Sequence, residues 1–312
     1  MSRRRPVESV LPSVNETNFS GLVHRGKVRD TYDIGDGRLL MIATDRISAF
    51  DVILSPPIPD KGTILAQMSK FWFDLTADVM ANHVVGMADD DEALADVPRV
   101  GALAEIPDDM RRRSMVIRRA ERLDIECVVR GYITGAGWAE YSEHGTLNKQ
   151  ALPEGIVEAQ KLDPPIFTPS TKAEEGHDMP MTPSEVVDLV GKEMATKLEE
   201  ATVRIYRGAQ EFAAGRGMII ADTKMEFGII DGELILIDEL FTADSSRFWA
   251  KDTYKPGVSP AAFDKQFVRN WLLESGWDRE PPAPDLPDDI VRKTRDRYVQ
   301  AYERLTGETF VA

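Results

Sequence analysis

The sequence predicts an α+β fold with mostly antiparallel sheets. Three observations carry this. Strand-like segments come in groups and helix-like segments come in groups, without steady β-α-β alternation. The turn signals Gly35-Asp36-Gly37 and Asp231-Gly232 each separate two apolar runs, which is a hairpin pattern. No GxGxxG follows a strand-like run, and no GxxxxGK followed by Ser or Thr occurs, so the Rossmann and P-loop fingerprints are both missing.

Taken in order, residues 1–20 mix Pro, Ser and Asn around Val7, Val10 and Leu11, which reads as one helical turn and a loose arm. Residues 28–34 and 38–44 form the first hairpin. Residues 61–80 predict a helix, because Ile64, Leu65, Met68, Phe71, Trp72, Leu75 and Val79 recur at three- and four-residue steps on one face. That stripe is packing surface rather than an aromatic ligand box. The acidic run Asp89-Asp90-Asp91-Glu92 lacks the Gly and distal Glu of a calcium loop and reads as a solvated loop. Residues 114–120 and 125–133 are two strands. Residues 145–182 are proline-rich with little periodicity, the mark of a long functional or disordered loop.

Residues 184–214 predict one long helix, started by Thr182-Pro183-Ser184-Glu185 and stopped by Gly215. A strand (218–221) and a hairpin (224–230 and 233–238) follow. The chain is then polar to Ser259. Helices over 260–274 and 287–305 close it, separated by the stiff spacer Pro281-Pro282-Ala283-Pro284.

A chain of 312 residues exceeds what one hydrophobic core covers. The expected units are an N-terminal β-rich part over 1–115, a central α/β part over 116–255 and a helical segment over 256–312. The 38 basic and 53 acidic residues give a net charge of −15. That argues against a general nucleic-acid or anionic-membrane surface, which needs a positive field. A single cysteine, Cys127, excludes disulfide frameworks, cysteine-rich zinc sites and iron–sulfur clusters within the chain. Cys127 lies mid-strand and reads as a small buried hydrophobe, not a nucleophile. No apolar run reaches the roughly 18 residues of a membrane span. The basic start is followed by no apolar stretch. The expectation is a cytoplasmic protein.

Local positive charge in so acidic a chain needs an explanation. Within Arg25-Gly26-Lys27-Val28-Arg29, strand alternation would put the three cations on one face. Such a row suits a polyphosphate, and equally an edge strand that blocks edge pairing; spacing leaves both open. In 219–228, Asp222, Lys224 and Glu226 interrupt an apolar run, with Asp238-Glu239 closing the next. Glu226 and Asp238 could hold Mg²⁺, a hard cation that takes one or two carboxylates plus phosphate oxygens. A three-residue loop at 230–232 would put the two on one sheet face. A two-residue Asp231-Gly232 turn would put them on opposite faces, and the metal reading needs the first. The other reading is an ordinary hairpin salt-bridged to Lys224. Lys172 follows the Pro/Ser/Thr stretch 167–171, with His177-Asp178 beyond it. In 129–138, Arg130 precedes a Gly-rich turn into a helix, a natural anion seat. Arg247 closes Asp244-Ser245-Ser246-Arg247. No GxSxG elbow occurs.

Six blocks, GKVRD at 26–30, DRISAFD at 45–51, ECVVRGYITG at 126–135, FTPSTKAEEGHD at 167–178, IIADTKMEFG at 219–228 and DELFTADSSRFW at 238–249, resemble the SAICAR synthetase family, in the family's order. FDKQFVRNWL at 263–272 and ESGWDREPP at 274–282 look like its longer form. The resemblance implies an N-terminal antiparallel sheet packed on a central ATP-binding α/β part, with C-terminal helices. It implies a ligase of purine biosynthesis that joins carboxyaminoimidazole ribonucleotide (CAIR) to L-aspartate at the expense of ATP, with Mg²⁺. A phosphorylated carboxylate is itself an activated acyl group, so such a reaction needs no protein nucleophile. By the same resemblance, Lys27, Arg29 and Lys172 contact ATP phosphates, and the strand near Arg118 and Ala120 passes the adenine. Glu226 and Asp238 hold the metal. Arg130 and Arg247 hold the ribonucleotide phosphate. Asp178, Asp222 and Lys224 line the reacting cleft, and Ser48 and Asp51 touch aspartate. The chain departs from the family pattern at Ala136, Met179-Pro180 and Ala243. The competing expectations are a kinase-like phosphotransferase and a non-catalytic nucleotide-binding relative.

Overall fold

A computed structural model describes residues 13–172 and 178–311 of the chain. The helical turn expected around Val7, Val10 and Leu11 lies outside them. Two antiparallel sheets dominate. The first has five strands in the order Leu22–Arg25, Arg29–Gly35, Arg38–Ala43, Ser114–Arg118 and Val84–Met87. Its hairpin turns at Asp36 and Gly37, both with positive φ, as the Gly-Asp-Gly signal predicts. The second sheet has seven strands built around one 13-residue strand, Met218–Ile230. That strand pairs antiparallel with Ile125–Tyr132, Glu233–Ile237, Ser246–Ala250 and Glu121–Arg122.

The helix Lys61–Leu75 links the sheets. Ile64, Leu65, Met68 and Trp72 join the core beneath the second sheet, while Ala66 packs with Met41, Met115 and Ile117 of the first. It ends short of the expected residue 80, where the Thr76 hydroxyl donates to the Trp72 carbonyl at 2.8 Å. A second helix, Lys192–Gly215, covers the back of the second sheet with Leu198, Ala201, Ile205, Tyr206 and Ala209. Gly131 permits this contact: a Cβ there would lie 2.1 Å from the Tyr206 hydroxyl. That hydroxyl donates to the Ile220 carbonyl at 2.6 Å.

Four expectations need correction. The helix expected over 184–214 is two, Pro183–Val190 and Lys192–Gly215, broken at Gly191 with φ 81°. The start signal at Thr182 is a full capping box with Glu185. The region 145–182 is not structureless, because Lys161–Phe167 adds an edge strand beside Ile125–Tyr132, its pairing interrupted between Lys161 and Ile166 around Pro164 and Pro165. Ser246–Ala250 is a strand inside a stretch that reads as polar loop. The helix expected over 260–274 begins only at Gln266. The last helix, Asp288–Thr306, packs with Lys61–Leu75 and closes the fold. Among the described residues, no helix is long and apolar enough to cross a membrane.

Candidate functional site

A cavity of about 1160 Å³ is lined by both sheets, and every residue given a role above lies on its wall. The first sheet and its turn supply Lys27, Arg29, Arg118 and Ala120. The small hairpin Ile47–Ala49 with Val52–Leu54 supplies Ser48 and Asp51. The second sheet and its flanking loops supply Arg130, Lys172, Asp178, Asp222, Lys224, Glu226, Asp238 and Arg247. His177, beside Asp178 in the sequence, lies outside the described residues.

The strand reading of 25–29 is corrected. The Gly26 amide donates to the Arg29 carbonyl at 2.7 Å, so these residues are a tight turn between two strands, not an alternating strand. The turn sends its cations apart. Arg25 reaches Glu16 at 2.6 Å, Lys27 pairs with Asp51, and Arg29 pairs with Asp238 at 2.9 Å and with Glu239. Burial opposes the Arg29 charge, but Asp238, Glu239 and Asp244 outweigh it and raise its pKa.

The hairpin register is also settled. Ile230 pairs with Glu233 across a two-residue Asp231-Gly232 turn, and Glu226 faces Ile237. By alternation alone Glu226 and Asp238 would then point to opposite faces. The strand stops at Ile237, however, and Asp238 takes φ 65°, outside strand geometry. The left-handed residue turns the chain, and both carboxylates line the same cavity.

Asp222, Lys224 and Glu226 are spaced two apart on the long strand, and Glu126, Val128 and Arg130 on its neighbour; all reach the cavity. Lys172 bridges Glu226 at 2.6 Å and Glu126 at 3.1 Å, and Lys224 pairs with Glu126 and lies 3.7 Å from Glu226. Burial disfavours the Lys224 ammonium, but Glu226, Glu126 and Asp238 prevail and raise its pKa. Lys172 is also raised, against burial and Lys224, by Glu226 and Glu126. Both amines are held charged. A third group centres on Asp222, whose Oδ2 accepts from Arg130 at 2.7 Å and from Arg247 at 2.6 Å. Gly135, with φ 56°, leaves room for the Arg247 guanidinium, which a Cβ would approach to 2.3 Å.

Several wall residues have no signal in the sequence reading. Glu126 is one, although a charge alternating into an apolar strand could have found it. His83 is fully buried, its Nε2 without a hydrogen-bond partner, and burial pushes its pKa down to about 4. Lys265 and Arg269 come from the C-terminal segment. Burial lowers the Lys265 pKa to about 8, despite Asp244 at 3.4 Å. Cys127 is fully buried and its thiol is pushed up to about 12, chiefly by burial, which leaves it inert as a nucleophile at neutral pH.

The arrangement is a set of cations from both sheets, already neutralised by carboxylates, around a space large enough for a nucleotide and a second anion. It can bind and position phosphates.

Known proteins resemble the chain closely. A family model described as SAICAR synthetase matches residues 22–284. A phosphoribosylaminoimidazole-succinocarboxamide synthase of Thermodesulfovibrio yellowstonii is 50% identical over 296 residues, spanning 94% of this chain and 99% of its own length. One from Geobacter sulfurreducens is 50% identical over 298 residues, spanning 95% and 98%. The structure of the SAICAR synthase from Saccharomyces cerevisiae complexed with SAICAR superposes with a TM-score of 0.85 at 40% identity, over 96% of this chain and 100% of its own. A type-2 SAICAR synthetase in complex with ADP shares the fold, with a TM-score of 0.68 at 23% identity over 93% and 99% of the two chains. Matched by the family model over most of its length and by full-length relatives at half identity, the chain belongs to the SAICAR synthetase family.

Proposed function

We propose that the chain carries out its family's reaction, the ATP-dependent condensation of CAIR with L-aspartate to SAICAR, ADP and phosphate, in the cavity described. One observation carries the residue assignments: phosphate-competent cations from two sheets converge on one cavity. Lys27, Arg29 and Lys172 receive the ATP phosphates, with Arg118 and Ala120 beside the base. The Lys172–Glu226 and Arg29–Asp238 pairs would open as phosphates replace the carboxylates as partners of the cations. Arg130 and Arg247 grip the CAIR phosphate. Asp178, Asp222 and Lys224 line the reacting end, and Ser48 and Asp51 take aspartate.

The carboxylate of CAIR attacks the γ-phosphorus, ADP leaves, and the aspartate amine displaces phosphate from the resulting acyl phosphate. Lys224 stays charged beside Glu126 and Glu226 and stabilises anionic oxygens as they move. Glu226 and Asp238 fit Mg²⁺, because both present hard carboxylate oxygens to the cavity that would hold the phosphates. Among the described residues no group of three His, Cys, Asp or Glu is arranged as a complete metal cage. When bound, Mg²⁺ neutralises charge on the transferring phosphoryl group.

In this reading the first sheet, whose strand Ser114–Arg118 crosses the boundary expected between residues 115 and 116, forms one wall, the second sheet forms the other, and the C-terminal segment braces both while adding Lys265 and Arg269 to the lining. Resemblance to the longer form of the family supports a monomer, and a purine-biosynthetic role supports the cytoplasm. The test is an assay with purified protein, CAIR, ATP, Mg²⁺ and aspartate. ADP release should require aspartate and CAIR together. Release with a sugar or peptide acceptor instead would favour the kinase-like reading.

A further inference from the structure

The hairpin that carries Ser48 and Asp51 has a two-residue tip, Phe50 and Asp51, with φ of 51° and 65°. Non-glycine residues hold that conformation only where their surroundings fix them. On one side of the tip, Asp51 pairs with Lys27. On the other, the C-terminal segment meets the Phe50 ring. Trp277 packs edge-on against it, with centroids 6.3 Å apart and planes at 63°. The Arg279 guanidinium carbon sits 4.9 Å over its centroid. The Trp277 Nε1 donates to the Glu280 carbonyl at 2.7 Å and closes the turn from which both side chains reach the same ring. Beneath the tip, Ile47, Ala49 and Leu54 share a small core with Val268 and Leu272 of the helix that precedes this turn.

We propose that the turn bearing Trp277 and Arg279 is a positioning device for the reaction: it fixes the Phe50 ring and thereby places Ser48 and Asp51 for the amino-acid substrate. Neither Trp277 nor Arg279 lines the cavity. Both act through Phe50. The proposal rests on the assignment of Ser48 and Asp51 to aspartate.

The test is steady-state kinetics of the full chain with Trp277→Ala, Arg279→Ala, Phe50→Leu and the double variants, together with thermal unfolding. An aromatic edge contact and a cation over a ring are each modest, so kcat/KM for aspartate should fall about three- to thirtyfold, mainly through KM. The ATP constant should stay put. Each double variant with Phe50→Leu should lose less than the product of the single losses, because both members act through one ring. Arg279→Lys keeps a cation and should recover part of the loss. Unchanged kinetics for all three substrates, or strictly multiplicative losses, would overturn the proposal. A coupled defect that falls on ATP or CAIR instead keeps the positioning role and overturns the aspartate assignment. Arg279 is exposed, so its variants retain the test even where Trp277→Ala fails to fold.

Discussion

Arg130 and Arg247 converge on a single oxygen of Asp222. Arginine suits a phosphate monoester because its planar fork bonds two oxygens at once. Removing one charge-assisted partner costs about 1.5–3 kcal/mol, or roughly ten- to hundredfold in affinity. Arg130→Ala and Arg247→Ala should therefore raise KM for CAIR by about that factor, with the ATP constant nearly unchanged. Because both share Asp222, their losses should not simply add. Steady-state kinetics against each substrate checks this; a defect confined to ATP would reverse the phosphate assignment. Asp264 gives a second prediction. Burial raises its pKa from 3.8 to about 6, although it accepts from the Phe248 and Gln266 amides and faces Arg247 and Arg269. Between about pH 4 and 6 the folded state thus holds a proton that the unfolded state has lost. Stability from this group is present below about pH 4 and falls as pH rises through that window, by up to about 3 kcal/mol. Buried His83, its pKa lowered to about 4, gives an opposing rise over the same window, so the reading is the difference between wild type and Asp264→Asn: the stability of wild type relative to the variant should fall as pH rises from about 4 to 7. Neither Asp264 nor His83 could be singled out from sequence, because burial, not residue type, makes their titration unusual.

At the scale of elements, the pairing of the long helix with the central strand pair depends on Gly131. A methyl group there would strike the Tyr206 hydroxyl and also the Gln210 amide, 2.8 Å away. Gly131→Ala should destabilise the fold by about 1–3 kcal/mol, the usual cost of overpacking. Chemical denaturation measures it, and an unchanged midpoint would show that Tyr206 moves freely. Elements with their own local signals were legible in the sequence. The first hairpin had its Gly-Asp-Gly turn, and the helix at Pro183 had a capping box. Ser246–Ala250 was not legible, because its pairing with Met218–Ile230 is a long-range contact that no local pattern encodes. The break at Gly191 was missed because apolar periodicity runs through it, and one glycine decides the backbone. The metal pair shows the opposite failure. The two-residue turn that forms predicts opposite faces by alternation, but the left-handed Asp238 sets alternation aside at the residue that matters. Glu226→Gln and Asp238→Asn should each abolish turnover while the fold persists, since each removes a hard anionic ligand without removing volume, although a lowered unfolding temperature is expected because Lys172 and Lys224, or Arg29, lose a partner. Near-normal turnover at low Mg²⁺ would remove the metal assignment.

For the whole molecule, neither sheet alone makes the site. Lys27 and Arg29 come from one, Lys172, Lys224 and Glu226 from the other, and the helix Lys61–Leu75 and the C-terminal helices hold the two together. An overall charge of −15 coexists with this cavity because its cations are local, and Lys27, Arg29, Arg130, Lys172, Lys224, Arg247 and Lys265 each pair with a carboxylate. The central claim is that such a cavity activates the CAIR carboxylate by phosphorylation, with charge and position in place of a protein nucleophile. The most direct measurement uses CAIR labelled with ¹⁸O in that carboxylate and mass analysis of the phosphate released on turnover with ATP, Mg²⁺ and aspartate. One labelled oxygen should appear in each phosphate, carried over as the amine displaces it. Phosphate free of label, formed alongside SAICAR, would contradict the account.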